Sequence, residues 1–326
     1  MTRRAVFIMV CLLALLVLLC GLSLMTGRVW APISAWFDRG DVRWAIVFEL
    51  RVPRTLLAIA VGAGLGVSGA AMQGYTRNPL ADPAALGVSS MAALGAVLTL
   101  YLGAGGAQPW IIATAAMAFA LLAVILLLAL AGMGSGMVSF VLAGVILQTM
   151  AGAGVALALS LAPNPWAVSE IVNWLMGSLA DRSLDEVRFA APFIALGVGL
   201  ILFTGRGLDA LTLGERSAAS LGIDLRVLRG LLAVGVALTT GASVAVTGVI
   251  GFVGLIVPHL LRPLVGARPS ALLWPSAVGG AVLVLGADIL VRAIHNGSEL
   301  KLGIAMAALG GPFFFALLIS LRRRTA

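Results

Sequence analysis

Apolar runs of about twenty residues recur along the whole chain, broken by short charged connections, and they leave few folds open. A helix that crosses the bilayer core needs roughly 20 predominantly apolar residues. Candidate spans fall at 5–25, 55–74, 86–103, 109–131, 137–162, 189–204, 227–247, 248–266, 271–295 and 303–321. A water-soluble core cannot absorb that much apolar surface: the 326 residues are 61% hydrophobic and 10% charged, against about 25% charged in soluble domains. Mean hydropathy is +1.11. The sequence therefore predicts an all-α polytopic membrane protein of about ten transmembrane helices, forming a single domain over 1–326. An even number of spans puts both termini on one side. Arg3 and Arg4 at one end, with Arg322, Arg323 and Arg324 at the other, place that side in the cytoplasm.

Other classes fit poorly. The net charge of +8 and the basic isoelectric point come from arginines dispersed between apolar runs, not from a stripe that would track nucleic acid. Cys11 and Cys20 lie on one predicted helix, about 13 Å apart along its axis and on opposite faces, so they cannot pair. Two histidines, His259 and His295, are too few for a metal centre, and no cofactor is expected. No cluster of His, Cys or acidic residues shares one membrane depth, which argues against a membrane enzyme. A nucleotide-binding P-loop needs Gly-Lys-Ser/Thr, yet the only lysine, Lys301, sits between Leu300 and Leu302. The run 5–25 is longer than a signal-peptide core and lacks a small-residue cleavage site, so it is expected to remain as the first span.

Two connections are long. Residues 26–54 carry three tryptophans and mixed charges. Residues 163–188 open on Pro163-Asn164-Pro165 and then place Ile171, Val172, Leu175 and Leu179 at helical spacing, as a short interfacial helix would. Pro53 suits the first turn of a span. Gly62/Gly66 and Ala70/Gly74 have the spacing of a closely packed membrane helix. Residues 62–69 are faintly echoed by 241–248, and the threading makes those helices antiparallel, as an inverted repeat requires.

Several ordered blocks resemble the FecCD-type permeases, the membrane subunits of ABC importers for iron-siderophores, haem and cobalamin. They run from Arg51-Val52-Pro53-Arg54-Thr55 through Arg77-Asn78-Pro79-Leu80-Ala81-Asp82-Pro83 to Trp174-Leu175-Met176-Gly177-Ser178-Leu179. Further blocks lie at 213–222, 251–262, Ala287-Asp288 and 310–314. The departure is Glu299-Leu300-Lys301, where the family commonly reads Glu-Leu-Pro. The resemblance implies a permease of the bacterial cytoplasmic membrane that works as a homodimer or with a paired homologue. It also implies two cytoplasmic ATP-binding-cassette ATPases, an extracytoplasmic binding protein, and an iron chelate or corrinoid as cargo. Arg51, Arg54 and Arg292 match positions that dock the binding protein. Leu213, Gly214, Glu215, Arg216, Ser217, Leu221 and Gly222 match the loop that couples to the ATPase, with Gly222 suited to a left-handed helix end.

Alternatives stand beside these assignments. Arg292 is one turn from Asp288 and pairs with it in the simpler view, which makes Asp288 structural instead of a proton site. Arginines at a helix end also snorkel. His259 is expected near a cytoplasmic helix end. Gln148 either lines the pathway as part of a gate or makes an interhelical hydrogen bond. The competing function is an ion-coupled secondary transporter, which would need buried carboxylates at mid-membrane.

Overall fold

A computed structural model describes residues 3–27, 29, 31–103, 109–132, 136–294 and 300–325; Trp30, His295 and Glu299 lie outside them. The described residues are helical, without a strand. In chain order the helices are α1 (Arg3–Met25), α2 (Val42–Ala45), α3 (Val52–Thr76), α4 (Val88–Tyr101) and α5 (Pro109–Ala131). There follow α6 (Met137–Ser160), α7 (Pro165–Leu175), α8 (Leu184–Phe203), α9 (Gly205–Leu211) and α10 (Glu215–Ser220). The chain ends in α11 (Leu225–Thr247), α12 (Val253–Val265), α13 (Pro269–Ala293) and α14 (Leu302–Thr325). Seven helices among the described residues are long and apolar enough to cross a membrane, and three shorter apolar ones, at 88–101, 253–265 and 302–317, occupy the other expected positions.

The connection expected at 26–54 is shorter than the sequence implied. Helix starts at Val42, and α2 and α3 form one 35-residue rod joined by a π-helical turn at Ile46–Arg51. Pro53 explains that turn. A proline inside a helix has no N–H to donate and crowds the carbonyl four residues back, and a wider turn relieves the clash. The interfacial helix is present as α7: Asn164 caps it by accepting from the Ala167 N–H, and Ile171 is buried.

Two helices form the axis of the bundle. α3 and α11 are enclosed along most of their length, whereas α1 is almost bare. They run antiparallel: Tyr75 meets Arg229 and Ser68 meets Thr239, so one chain position rises as the other falls. Each axial helix packs on the second half of the other repeat-like unit, α3 on α12 and α13, α11 on α4 and α5. The break before α4 turns on Gly87 (φ 74°), and the break before α12 turns on Phe252 (φ 68°). Gly144 of α6 leaves room for Leu86 beside the first break, and Gly310 of α14 leaves room for Phe252 at the second. These matched contacts give the sequence echo a structural counterpart.

Close backbone approach makes α3 intolerant of added atoms. A Cβ at Gly66 would fall on the Ser276 carbonyl of α13, whereas one at Gly199 of α8 would meet nothing within 4 Å. Gly66→Ala should therefore lower the thermal midpoint of the purified protein by an amount equivalent to roughly 1–3 kcal/mol of overpacking. That outweighs the alanine's helix-propensity gain of about 0.5–1 kcal/mol. Gly199→Ala should hold or raise the midpoint; equal midpoints for both variants would contradict this packing.

Candidate functional site

The segment expected to couple to an ATPase sits near the C-terminal end of α3, where Arg77 approaches Gly214. α10 begins after Gly214 (φ 98°) and stops at a Schellman turn: Gly222 N–H donates to the Ala219 carbonyl and Ile223 N–H to that of Ala218. Gly222 is left-handed, at φ 83°, as its position in the sequence implies. Ala218 is the residue that anchors α10 inward. Leu213, Arg216, Ser217, Leu221 and Gly222 are exposed, so two apolar side chains flank one short turn of helix. Because α10 starts at Glu215, Ser217 lies in its first turn, where N–H groups have no intrahelical partner and proline is tolerated.

Glu215 does not face outward with them. Its Oε1 accepts the backbone N–H of Met137, 3.0 Å away, at the start of α6. Asp209 of α9 does the same for α13. It accepts the Ser270 N–H at 2.9 Å, the Ser270 hydroxyl at 2.6 Å and Arg268 Nε at 2.6 Å. Burial alone would push the Asp209 carboxyl up, but the Ser270 hydrogen bonds and the Arg268 guanidinium outweigh it and hold the group below the usual carboxylate range. Helix N-termini present unpaired N–H groups and a partial positive charge. One short segment thus grips the first turns of two long apolar helices. Arg229 adds a third link: it donates to the Tyr75 hydroxyl at 2.9 Å and lies over the ring of Phe140 in α6. Neither Asp209 nor Arg229 stands out in the sequence, since their partnerships join residues 61 and 154 positions apart.

At the other end of α3, about 35 Å away by helical rise, the three expected docking arginines are brought together, but with internal partners. Arg51 is 5% exposed and caps the C-terminus of α1, donating to the carbonyls of Leu24, Met25 and Val29. Asp288 is fully enclosed and takes both other guanidinium groups. Arg54 binds it through Nε and Nη2, at 2.8 Å for the closest contact, and Arg292 Nε lies 3.0 Å from Oδ2. Arg292 also donates to the Ser23 carbonyl and hydroxyl. The pair of Asp288 with Arg292 is as the spacing implies; the stronger, two-pronged contact with Arg54 joins positions 234 residues apart and left no trace in the sequence.

These arginines still line a concavity of about 300 Å³ together with Arg182 and Asp181. Arg182 is the least committed. Its Nε is buried without a hydrogen-bond acceptor among the described residues, and Glu186 is 4.0 Å away. Burial pulls it below the usual arginine range, against the pull of Glu186 and Asp181.

Gln148 is exposed on α6, and no hydrogen bond among the described residues engages its side chain. His259 lies mid-way along α12, edge-on to Phe313 of α14 at 5.8 Å, not at a helix end. Among the described residues no group of three His, Cys, Asp or Glu side chains is arranged to hold a metal ion.

A helical bundle with seven described helices of membrane-spanning length, built around two enclosed antiparallel helices, is the architecture of a polytopic membrane protein. The chain matches the FecCD transport family over residues 15–320 and belongs to it. It is 39% identical over 283 residues to the uncharacterised ABC transporter permease YvrB of Bacillus subtilis, covering 85% of this chain and 80% of that one. It is 38% identical over 310 residues to the vitamin B12 import system permease BtuC of Vibrio cholerae, covering 94% and 92%. A solved inward-facing structure assigned to the metal-chelate type of ABC transporter superposes with a TM-score of 0.87. It is 32% identical, and the match covers 96% of this chain and 99% of that one. PsaBC from Streptococcus pneumoniae shares the fold, at a TM-score of 0.58 and 20% identity over 84% of this chain and 93% of that one. The protein is a multi-pass permease of the ABC importer class.

Proposed function

We propose that this permease carries a bulky metal chelate across the bacterial cytoplasmic membrane, as a homodimer powered by two cytoplasmic ATP-binding-cassette ATPases. A corrinoid is the favoured cargo over an iron-siderophore or haem. What supports it is the similarity to vitamin B12 import permeases over nearly the whole chain, beside the metal-chelate transporter structure. The observation that carries the mechanism is the double grip of the 205–222 segment. An ATPase that takes hold of Leu213, Arg216 and Leu221 moves Glu215 and Asp209 with them. Those carboxylates hold the first turns of α6 and α13, so displacement of the segment displaces two spans. Gln148, on the exposed side of α6, then lies on a helix that moves and serves as a pathway or gate residue.

The arginine-lined mouth receives the extracytoplasmic binding protein. Planar guanidinium forks suit carboxylates, and Arg182 lines the mouth with only a 4.0 Å approach to Glu186 as its described ion pair. Arg51, Arg54 and Arg292 contribute positive potential over a scaffold they also hold together. An ion-coupled secondary transporter is disfavoured because Asp288, the carboxylate of such a mechanism, is locked between two arginines.

The test is reconstitution. The purified chain should show no ATP turnover; hydrolysis and cobalamin uptake should appear together when the ATPase and the cobalamin-loaded binding protein are added. Uptake driven by a proton or sodium gradient without ATP would overturn the assignment. Uptake of a siderophore or haem in place of cobalamin would change the cargo alone.

A further inference from the structure

Besides the mouth, a second concavity among the described residues is lined by arginines, and the proposed function makes no use of it. It has a volume of about 180 Å³ and lies where α3 and α12 end and α13 begins, walled by Gln73, Gly74, Arg77, Thr212, Arg262 and Pro269. No acidic residue among the described ones lines it. Gln73 is pinned by donating its amide to the carbonyls of Gly254 and Leu255, which turns its oxygen toward Arg262 Nη2, 2.8 Å away. That neutral contact leaves Arg262 Nε buried with no acceptor among the described residues. Arg77 closes α3 in a left-handed conformation (φ 51°) that is uncommon for a residue with a Cβ. No described hydrogen bond or ion pair engages its guanidinium, which reaches to 4.0 Å from the Cβ position of Gly214. The nearby carboxylates are taken, Asp209 by Arg268 and Ser270, Glu215 by Met137.

Two permanent positive charges therefore line one small cavity with no carboxylate among its described lining residues, and no described partner engages the exposed Arg77 guanidinium. A buried N–H left unpaired is costly, and arginine forks match tetrahedral oxyanions closely. We propose that this cleft binds a single phosphate group, bridging Arg262 and Arg77 beside the coupling segment. The volume suits a phosphate and its water, not a nucleotide. It lies at the ends of spanning helices, the depth at which basic pockets take lipid headgroups. Headgroup and free phosphate share this chemistry.

Binding is measured on the full chain in two arms. In detergent, the thermal midpoint is followed against inorganic phosphate at constant ionic strength, with chloride as control. In nanodiscs, retention of phosphatidylglycerol over phosphatidylcholine is read by native mass spectrometry. Wild type should respond in at least one arm, and the responding arm names the source. Arg77→Gln removes an exposed side chain without a structural partner, so it should fold normally and bind roughly ten-fold more weakly. Arg262→Lys, which keeps the charge and loses the fork, should bind more weakly too. No response by wild type in either arm, or an equal response by folded Arg77→Gln, overturns the proposal. So does weaker ATPase association in Arg77→Gln without any phosphate effect, since the arginines would then serve a partner's carboxylate.

Discussion

Glu215→Arg should cut the number of substrate molecules imported per ATP hydrolysed at least ten-fold in the reconstituted transporter, while the ATPase still associates. The wild-type carboxylate accepts the first N–H of α6, a charge-assisted bond worth roughly 1.5–3 kcal/mol. An arginine there removes the acceptor and sets a cation against the positive end of a helix dipole. The apolar contacts that an ATPase would take, Leu213 and Leu221, are untouched. Hydrolysis should therefore continue while α6 ceases to follow. Glu215→Gln keeps an acceptor oxygen and should retain most of the coupling. The complementary variant is Ala219→Pro, because residue 219 lies beyond the first turn of α10 and proline there removes a helical hydrogen bond at about 3 kcal/mol. It should weaken ATPase association itself. Wild-type coupling ratios in Glu215→Arg would show that the contact with Met137 transmits nothing. Wild-type association in Ala219→Pro would show that α10 is not the docking element.

The second large effect belongs to Asp288. Asp288→Ala leaves Arg54 and Arg292 nearly enclosed, at 11% and 7% side-chain exposure, with no carboxylate between them. Removing one partner of a buried ion cluster costs about 3–5 kcal/mol, so folded yield and thermal midpoint should fall sharply. The same reasoning applies to Arg54→Glu, which sets two carboxylates against each other. Such a loss is a folding defect, not a docking defect, whereas Arg182→Gln, which removes the charge without setting a third carboxylate beside Glu186 and Asp181, should weaken binding-protein affinity with a smaller fall in midpoint, more so at low salt. Folded Asp288→Asn, obtained at low temperature, should still import substrate with ATP as sole driver. Strict dependence of wild-type uptake on a proton gradient, lost in Asp288→Asn, would instead make the residue a proton carrier.

Which features were legible in the sequence follows from the range of the interactions behind them. Helix content and the approximate spans are local properties of apolar runs, and the division of 227–266 into two spans is matched by α11, which ends at the left-handed Gly248, and α12. The left-handed Gly222, the α7 cap at Asn164 and the small-residue face of α3 are likewise written within a few residues. The helix start at Val42 was missed because a π turn absorbs Pro53, and that depends on what α3 packs against. The Asp288–Arg292 pair was legible from its spacing of one helical turn; the contact with Arg54 was not.

By itself, then, the sequence determined that this chain lives in a membrane, which segments are helical, and which family blocks it carries. Those are consequences of burying apolar side chains and satisfying backbone groups within each segment, and both can be judged one helix at a time. Only the tertiary structure decided where charge ends up. It turned Arg51 inward onto the end of α1, pointed Glu215 at α6 instead of outward, and left Arg77 and Arg262 facing an uncompensated cleft. A charged side chain in a low-dielectric surrounding takes whichever partner the fold brings within about 3 Å. Those partners lie on helices that are distant in the chain, so only the assembled bundle selects them.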